Sequence, residues 1–238
     1  IWKKNKKGAM DAIEKMGKFL TQEIGVGLDF SSNYVPYDTA LLPLSYLFDN
    51  YDFVKMDPKS QKIFTKVVKN YFIGSALKLH YTEGATSKQA IDKEQLMSCI
   101  EKGNIKLVDD IFAEKQFTGF NGVTLNGAKG KAALCIMNAE NLKDVFSGLN
   151  ISLSDKHEIH HIFPKKFFKG LTTPSEISPD NIANLMITDP DTNANFSGSD
   201  PREQIRLSED NNKNFENCYQ THFICSEAIS ILRRDSKS

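Results

Sequence analysis

The sequence predicts an α+β protein: a mostly helical region followed by a small region with short strands and a C-terminal helix. Apolar residues recur with the helical period through much of residues 1–147. After Gly148 the pattern changes to alternation, which is typical of strands. The helical period returns over residues 214–234. We therefore expect a helical domain over 1–147 and a second domain over 148–238.

The helical region divides into segments with recognisable ends. Asp57-Pro58 begins a helix, with Asp57 as the N-cap and Pro58 at the first helical position. Pro36 is expected in the first turn of an earlier helix. Besides the helix that begins at Asp57-Pro58, helices are predicted over 7–24, 36–49, 87–102, 105–114 and 128–139.

The second region is predicted to contain three short strands. Leu149, Ile151 and Leu153 alternate with polar residues and indicate a strand after Gly148. Further strands are expected over 157–163, which Pro164 ends, and over 184–188. Asp189-Pro190 then has the composition of a helix start.

The composition argues against a membrane-spanning or disulfide-stapled protein. No apolar run approaches the roughly 18–20 residues that a membrane span needs. None of the four cysteines forms a Cys-x-x-Cys pair, so a zinc knuckle is not expected. They lie in apolar, helix-like stretches, which predicts buried free thiols in a reducing cytoplasm. These cysteines are Cys99, Cys135, Cys218 and Cys225.

Two adjacent histidines, His160 and His161, are followed by Ile-Phe-Pro and make the most informative motif. Each buried histidine needs a hydrogen-bond partner, so such a pair is an uncommon core pattern. One imidazole can bind a divalent metal ion while the other acts as a general base near neutral pH. The alternative is a structural or capping pair. His80 and His222 lie in helical patterns, and we predict structural roles for both.

Asparagines follow the histidine pair where a strand–loop–strand–helix unit can return to it. Asn184 opens the third predicted strand, and Asn193 follows the Asp189-Pro190 helix start. An amide oxygen can ligate Mg²⁺, and an amide can hold an imidazole in one tautomer. The alternatives are a strand-edge amide for Asn184 and helix capping for Asn193.

His160-His161-Ile-Phe-Pro, followed by Asn184-Leu-Met-Ile and Asn193, resembles the His-Asn-His motif of the ββα-metal nucleases. The closer resemblance is to the nuclease half of GmrSD-type restriction proteins, which often carry a His-His-Ile-Phe-Pro-Lys box. In that group an Asn stands eight residues before a Pro, as Asn193 does before Pro201. The resemblance covers most of the chain, but only the box and its two asparagines are specific.

The resemblance implies a metal-dependent endonuclease or nickase that hydrolyses phosphodiester bonds in DNA, in defence against phage or foreign DNA. His161 matches the general base, and Asn184 matches the residue that orients it. His160 and Asn193 match the ligands of Mg²⁺ or Mn²⁺, with Asn195 as the alternative to Asn193. A ββα-metal subdomain followed by a C-terminal helix is expected.

The resemblance also implies a partner domain outside this sequence, one that hydrolyses a nucleotide or senses DNA at the N-terminal side. No Walker-type Gly-Lys-Ser/Thr loop occurs in these 238 residues. The alternative function is a catalytically weak DNA-binding or interaction module of a larger restriction protein. The matched metal ligands include no carboxylate, which keeps that alternative open.

Lys165, Lys166 and Lys169 follow the box closely and are predicted to contact DNA phosphates. The alternative is a solvated surface. The chain carries 30 basic and 30 acidic residues, whereas a stand-alone DNA-binding domain is usually basic. We therefore expect the chain alone to bind DNA weakly and with a strong dependence on salt.

Overall fold

The computed structural model describes residues 2–26, 34–105, 122–153, 156–169 and 178–234. These residues are mostly helical, with a small two-stranded antiparallel sheet, so the α+β class is confirmed. The chain forms two compact units, Ile1–Gly119 with Asn126–Ala132, and Phe120–Leu125 with Ala133–Ser238. The proposed division into functional domains at residue 147 stays a prediction. None of the described helices is both long and apolar enough to cross a membrane.

Four long helices lie in the described part of the first unit. They are α1 (Trp2–Ile24), α2 (Leu41–Asn50), α3 (Pro58–Leu77) and α4 (Ala85–Lys102). Short 3₁₀ turns, Asp38–Ala40 and Phe53–Lys55, precede α2 and α3. The next helix, α5 (Ala128–Ala139), begins in residues of the first unit and ends in residues of the second.

Most of the predicted helix positions are confirmed. The carboxylate of Asp57 accepts hydrogen bonds from the backbone N–H groups of Lys59 and Ser60, at 3.0 and 3.2 Å, and so caps α3. The expected place of Pro36 is wrong, because α2 begins only at Leu41 after the 3₁₀ turn. The predicted helix over 105–114 lies, apart from residue 105, outside the described residues.

Aromatic side chains form the core between the helices of the first unit. The ring centroids of Phe19, Phe48 and Phe64 lie 5.2–5.5 Å apart, in tilted or edge-to-face arrangements. Phe53 adds a further edge contact to Phe19 at 4.9 Å. Such pairs add about 0.5–1.5 kcal/mol to the free energy of burying the rings.

A polar cluster is buried beside this core. The hydroxyl of Tyr81 donates to the carboxylate of Asp92, and the hydroxyl of Tyr71 contacts that of Tyr81. Nε2 of His80 also contacts Asp92, at 3.0 Å. Burial raises the pKa of both tyrosines, which keeps the hydroxyls protonated as donors. These hydrogen bonds satisfy the buried carboxylate of Asp92, whose burial without partners would cost folding free energy.

The second unit joins a two-stranded sheet to four helices within its described residues. The strands are β1 (Glu158–His161) and β2 (Leu185–Thr188), which pair antiparallel with Ile159 opposite Ile187. The helices are α6 (Pro190–Phe196), α7 (Pro201–Asn211), α8 (Phe215–Thr221) and α9 (Ser226–Arg234). Residues from the loop before β1, from β2 and from all four helices share one core: Val145, Met186, Phe196, Ile205, Phe215, Cys218, Tyr219 and Ile229.

Two predicted elements of this unit are wrong. The strand expected after Gly148 is only an isolated bridge between Lys143 and Asn150. The chain turns back at this point, and the N–H of Ile151 donates to the carbonyl of Leu142 at 2.9 Å. The single helix expected over 214–234 is two helices, α8 and α9. The helical conformation is interrupted at Phe223, whose φ of 60° lies outside the right-handed helical region.

The buried thiols are confirmed for Cys99, Cys135 and Cys218, but Cys225 is exposed. Cys225 lies in the break between α8 and α9, so its apolar sequence surroundings do not place it in the core. All four are free cysteines.

The break between α8 and α9 also buries His222, which makes stability depend on pH. Burial lowers the pKa of His222 to about 4, whereas the unperturbed value is 6.5. The unfolded chain therefore binds more protons between these two pH values, and the folded state loses stability as pH falls from about 6.5 to 4. We expect this group to lower the free energy of unfolding by on the order of 3 kcal/mol over that range.

Urea unfolding at several pH values checks this prediction. His222→Gln can keep the hydrogen bond to the carbonyl of Lys143, which His222 Nε2 makes at 3.0 Å, but does not titrate. The slope of unfolding free energy against pH should therefore be smaller for the variant. An equal slope in both proteins would show that His222 does not contribute.

Candidate active site

The two histidines of the motif face opposite sides of β1, because successive side chains of a strand alternate. His160, opposite Met186, is only 5% exposed. His161, opposite Leu185, keeps 27% of its side chain exposed. The pair thus supplies one buried imidazole and one that solvent or a substrate can reach.

The buried imidazole of His160 contacts Asn193 on α6. Its Nδ1–H donates to Oδ1 of Asn193 at 2.8 Å. The ring also meets the ring of Phe196, one turn further along α6, at a centroid distance of 5.3 Å. Burial lowers the pKa of His160, and the hydrogen bond to Asn193 opposes this shift only in part. The neutral imidazole, which is the form that binds metal ions, is therefore favoured.

Gln204 on α7 is buried next to His160. Its amide nitrogen donates to the carbonyls of Ile162 and Ser199, at 3.1 and 3.0 Å. Nε2 of His160 has no hydrogen-bond partner of normal geometry, although the Gln204 side chain is close enough to raise the pKa of the imidazole. Through these hydrogen bonds, Gln204 links the residue after β1 to the segment before α7, next to His160.

The accessible imidazole of His161 is paired with a carboxylate. Its Nε2 lies 3.0 Å from Oδ1 of Asp180, and Nζ of Lys165 lies 2.8 Å from the same oxygen. Hydrogen bonds from Lys165 and His161 hold the pKa of Asp180 below its usual value. A carboxylate only accepts hydrogen bonds, so Nε2 carries the proton and the lone pair of neutral His161 lies on Nδ1. The arrangement thus selects one tautomer of the His161 imidazole.

Asn184 lies in the 3₁₀ turn before β2 and clamps the chain that follows the histidines. Its Oδ1 accepts from the N–H of Phe163 at 2.8 Å, and its Nδ2 donates to the carbonyl of Phe163 at 2.9 Å. Nδ2 also donates to the carbonyl of Pro179 at 2.9 Å. The side chain therefore joins the segment after His161 to the segment that carries Asp180. These hydrogen bonds reach the backbone two residues after His161, not its imidazole.

Asn184→Ala is expected to lower the free energy of unfolding by roughly 2–4 kcal/mol, because three part-buried backbone groups lose their partner. Urea unfolding monitored by circular dichroism measures the loss. Asn195→Ala is the matched control, since Asn195 is exposed on α6 and should change stability by less than about 0.5 kcal/mol. Equal stability of the two variants would contradict the clamp.

A second clamp holds the start of α6, and with it Asn193. The buried carboxylate of Asp144 accepts from the hydroxyl of Thr192 at 2.7 Å and from the N–H of Asp189 at 3.0 Å. It also accepts from the N–H groups of Phe146 and Ser147, at 3.0 and 2.8 Å. Asp189 in turn caps α6 by accepting from the N–H of Thr192 at 2.7 Å.

The predicted phosphate contacts differ in their surroundings. Lys165 pairs with Asp180, while Lys166 lies over the ring of Phe167, 5.6 Å from its centroid. Lys169 is exposed at the end of this segment. Lys165 is therefore the predicted DNA contact that lies beside His161.

No sequence pattern indicates a role for Asp144, Asp180 or Gln204. Asp180 precedes Asn181, whose side chain caps the 3₁₀ turn, so an acidic residue there looks like ordinary turn chemistry. Gln204 carries no signal, because an isolated glutamine on a helix is usually solvated. Asp144 lies 45 residues before Asp189, a separation at which sequence pattern gives no information about contact.

The pair His160–Asn193 has the spacing of two neighbouring metal ligands. Octahedral coordination with bonds of about 2.1 Å places adjacent ligand atoms about 3 Å apart. Nδ1 and Oδ1 are 2.8 Å apart, which is a hydrogen-bond distance and also close to that ligand separation, so a shared ion would require loss of the Nδ1 proton. Among the described residues, no group of three or more His, Cys, Asp or Glu side chains is placed to hold a metal ion.

Comparison with models of protein families, with curated proteins and with solved structures gives no significant match. The likeness to His-Asn-His nucleases therefore rests on the motif residues themselves.

Proposed function

We propose that the chain is a metal-dependent endonuclease or nickase that hydrolyses phosphodiester bonds in DNA. One observation carries the proposal: a strand–strand–helix unit, β1–β2–α6, brings His160 within 2.8 Å of Asn193 and leaves His161 accessible on the same strand. His160 and Asn193 pair on the buried side of β1, His161 lies on the accessible side, and Asn184 fixes the backbone after His161. We propose the ββα-metal class for this unit.

In the proposed mechanism His161 is the general base. The lone pair on Nδ1 takes a proton from a water molecule, and the water oxygen attacks phosphorus. The bond from phosphorus to the leaving sugar oxygen breaks, and that oxygen takes a proton from solvent. Asp180 holds the tautomer that this step needs and stabilises the imidazolium that forms. Asp180 is thus a positioning residue in this proposal.

His160 and Asn193 would hold Mg²⁺ or Mn²⁺, which supplies charge neutralisation at the phosphate when bound. Neither side chain is anionic, so negatively charged oxygens near the ion would have to come from the DNA phosphate. Lys165 adds a positive charge beside His161, where negative charge develops on the phosphoryl oxygens. We therefore expect the metal ion to bind more tightly with DNA than without it.

Incubating the purified chain with supercoiled plasmid and Mg²⁺ or Mn²⁺ tests the proposal. Relaxed or linear product that is absent with a chelator is the expected result. Persistent supercoiled DNA at high protein and Mn²⁺ concentrations would count against cleavage by this chain.

A second candidate is a DNA-binding or interaction module that does not cleave. The burial of His160 favours it, because a metal ion must reach a side chain that is only 5% exposed. DNA binding in the absence of any plasmid cleavage, with either metal ion, would identify this module.

We further propose that the chain acts in the cytoplasm in defence against phage or foreign DNA, with a nucleotide-hydrolysing or DNA-sensing domain as partner. Four free cysteines suit a reducing compartment. A test is phage plaque formation on cells that carry the wild-type gene or its His161→Ala version. Equal plaque numbers in both would count against a defence role.

A further inference from the structure

Two phenylalanines close to His161 in the chain are exposed to solvent. Phe163 is 42% and Phe167 is 37% exposed. They belong to one short segment, with Phe167 in the 3₁₀ turn Lys165–Phe168. Phenylalanine usually lies in the core, so two exposed rings in one such segment mark a candidate contact surface.

The backbone of this segment is held in place. Asn184 binds both the N–H and the carbonyl of Phe163, at 2.8 and 2.9 Å. The N–H of Phe167 donates to the carbonyl of Pro164 at 2.9 Å, which closes the turn. Little conformational freedom of the backbone is left to lose when a ligand binds, which favours binding.

Positive charge accompanies the rings. Lys165 and Lys166 are exposed between the two phenylalanines, and Nζ of Lys166 lies 5.6 Å from the centroid of the Phe167 ring. Lys165 shares an oxygen of Asp180 with His161, which brings this cation to the candidate general base. We name these four residues, Phe163, Lys165, Lys166 and Phe167, the Phe–Lys segment.

We propose that the Phe–Lys segment binds an unpaired stretch of a DNA strand, with bases stacked on the two rings and phosphates on the two lysines. Rings interleaved with cations are typical of sites for single strands. The faces of bases inside a duplex are covered by neighbouring pairs, so a ring stacks at lower cost on a base that has left the duplex than between paired bases. The proposal rests on the proposed nuclease function and names its substrate as DNA with unpaired bases near the cut.

Fluorescence anisotropy with a labelled DNA strand of about 16 nucleotides, in a chelator and at low salt, tests the proposal without any cleavage. The single strand should bind more tightly than the duplex of the same sequence. Phe163→Ala and Phe167→Ala should each weaken single-strand binding by about 5- to 100-fold, which is the loss of one stacked base. Duplex binding should change by less than about twofold, because phosphate contacts remain.

Two matched variants separate stacking from other effects. Phe163→Trp keeps an aromatic face and should retain single-strand binding. Phe223→Ala removes another exposed phenylalanine of the same unit, away from the Phe–Lys segment in the chain, and should leave binding unchanged. Thermal unfolding of each variant checks that the protein is folded, which exposed positions should not alter.

Equal affinity for single strand and duplex, or unchanged binding by both folded alanine variants, would overturn the proposal. Tighter binding of an RNA strand of the same sequence would overturn the choice of DNA. Plasmid cleavage by the same preparations decides the nuclease function separately. If the chain cleaves plasmid but the alanine variants bind the single strand as well as the wild type, only the proposed role of the Phe–Lys segment is refuted. If binding depends on the segment but no plasmid is cleaved, only the nuclease function is refuted.

Discussion

His161→Ala is expected to lower the rate of DNA cleavage by about 10²–10⁴-fold, because the reaction loses its general base. The fold should survive, since the side chain is partly exposed and its hydrogen bond to Asp180 lies at the surface. The contact between Lys165 and Asp180 does not depend on the imidazole. Plasmid cleavage at saturating Mn²⁺ measures the rate, and circular dichroism checks the fold.

Comparison with other variants shows which step is lost. His160→Ala should weaken metal binding in calorimetric titration and respond partly to high Mn²⁺, whereas His161→Ala should leave metal binding unchanged. His157→Ala is the matched histidine control, outside the motif, and should cleave within a few fold of wild type. Full activity in a folded His161→Ala protein would show that its assigned role, and with it the His-Asn-His mechanism, is wrong.

Asp144→Ala is expected to lower the free energy of unfolding of the second unit by roughly 3–5 kcal/mol, because several buried or part-buried donors lose one buried carboxylate. Among these donors are the N–H of Asp189 and the hydroxyl of Thr192 at the start of α6. Cleavage should fall as well, since Asn193 belongs to the same helix. Urea unfolding monitored by circular dichroism and the plasmid assay measure the two effects.

Two variants control for the change of charge and for the helix start. Asp144→Asn keeps the shape but replaces one acceptor oxygen with a donor, so most of the stability loss should remain. Asp191→Ala removes an exposed carboxylate from the first turn of α6 and should cost no more than about 1 kcal/mol, the usual worth of a helix-dipole contact. An Asp144→Ala protein as stable as Asp191→Ala would contradict the clamp.

Helix starts could be predicted because their signals are local. Asp57-Pro58 and Asp189-Pro190 both begin helices, and each carboxylate accepts from a backbone N–H two or three residues later. The helix over 128–139 was likewise predicted with its observed bounds. A few neighbouring residues carry all the information that such elements need.

The predictions of a strand after Gly148 and of a continuous C-terminal helix are wrong, because hydrogen bonds that hydrophobic spacing does not reveal set the conformation of both segments. The Asp144 carboxylate and backbone bonds fold residues 142–151 back on themselves, so the alternating apolar residues do not form a strand. His222 binds the carbonyl of Lys143, and the chain turns at Phe223. Lys143 lies 79 residues from His222, so no local pattern indicates that contact. The bonds that turn residues 142–151 lie within the segment, but hydrophobic alternation carries no sign of them.

The residue types available for chemistry can be read from the sequence alone: two histidines on one predicted strand, an asparagine at the start of the next and an asparagine on the helix after it. Strand alternation already required one imidazole to face the core and the other to face away. Only the tertiary structure decided the pairings, namely His160 with Asn193, His161 with Asp180, and Asn184 with the backbone of Phe163. The physical reason is separation along the chain. Those partners lie 19–33 residues apart, and strand pairing and helix packing, not any local preference, bring them within hydrogen-bond distance.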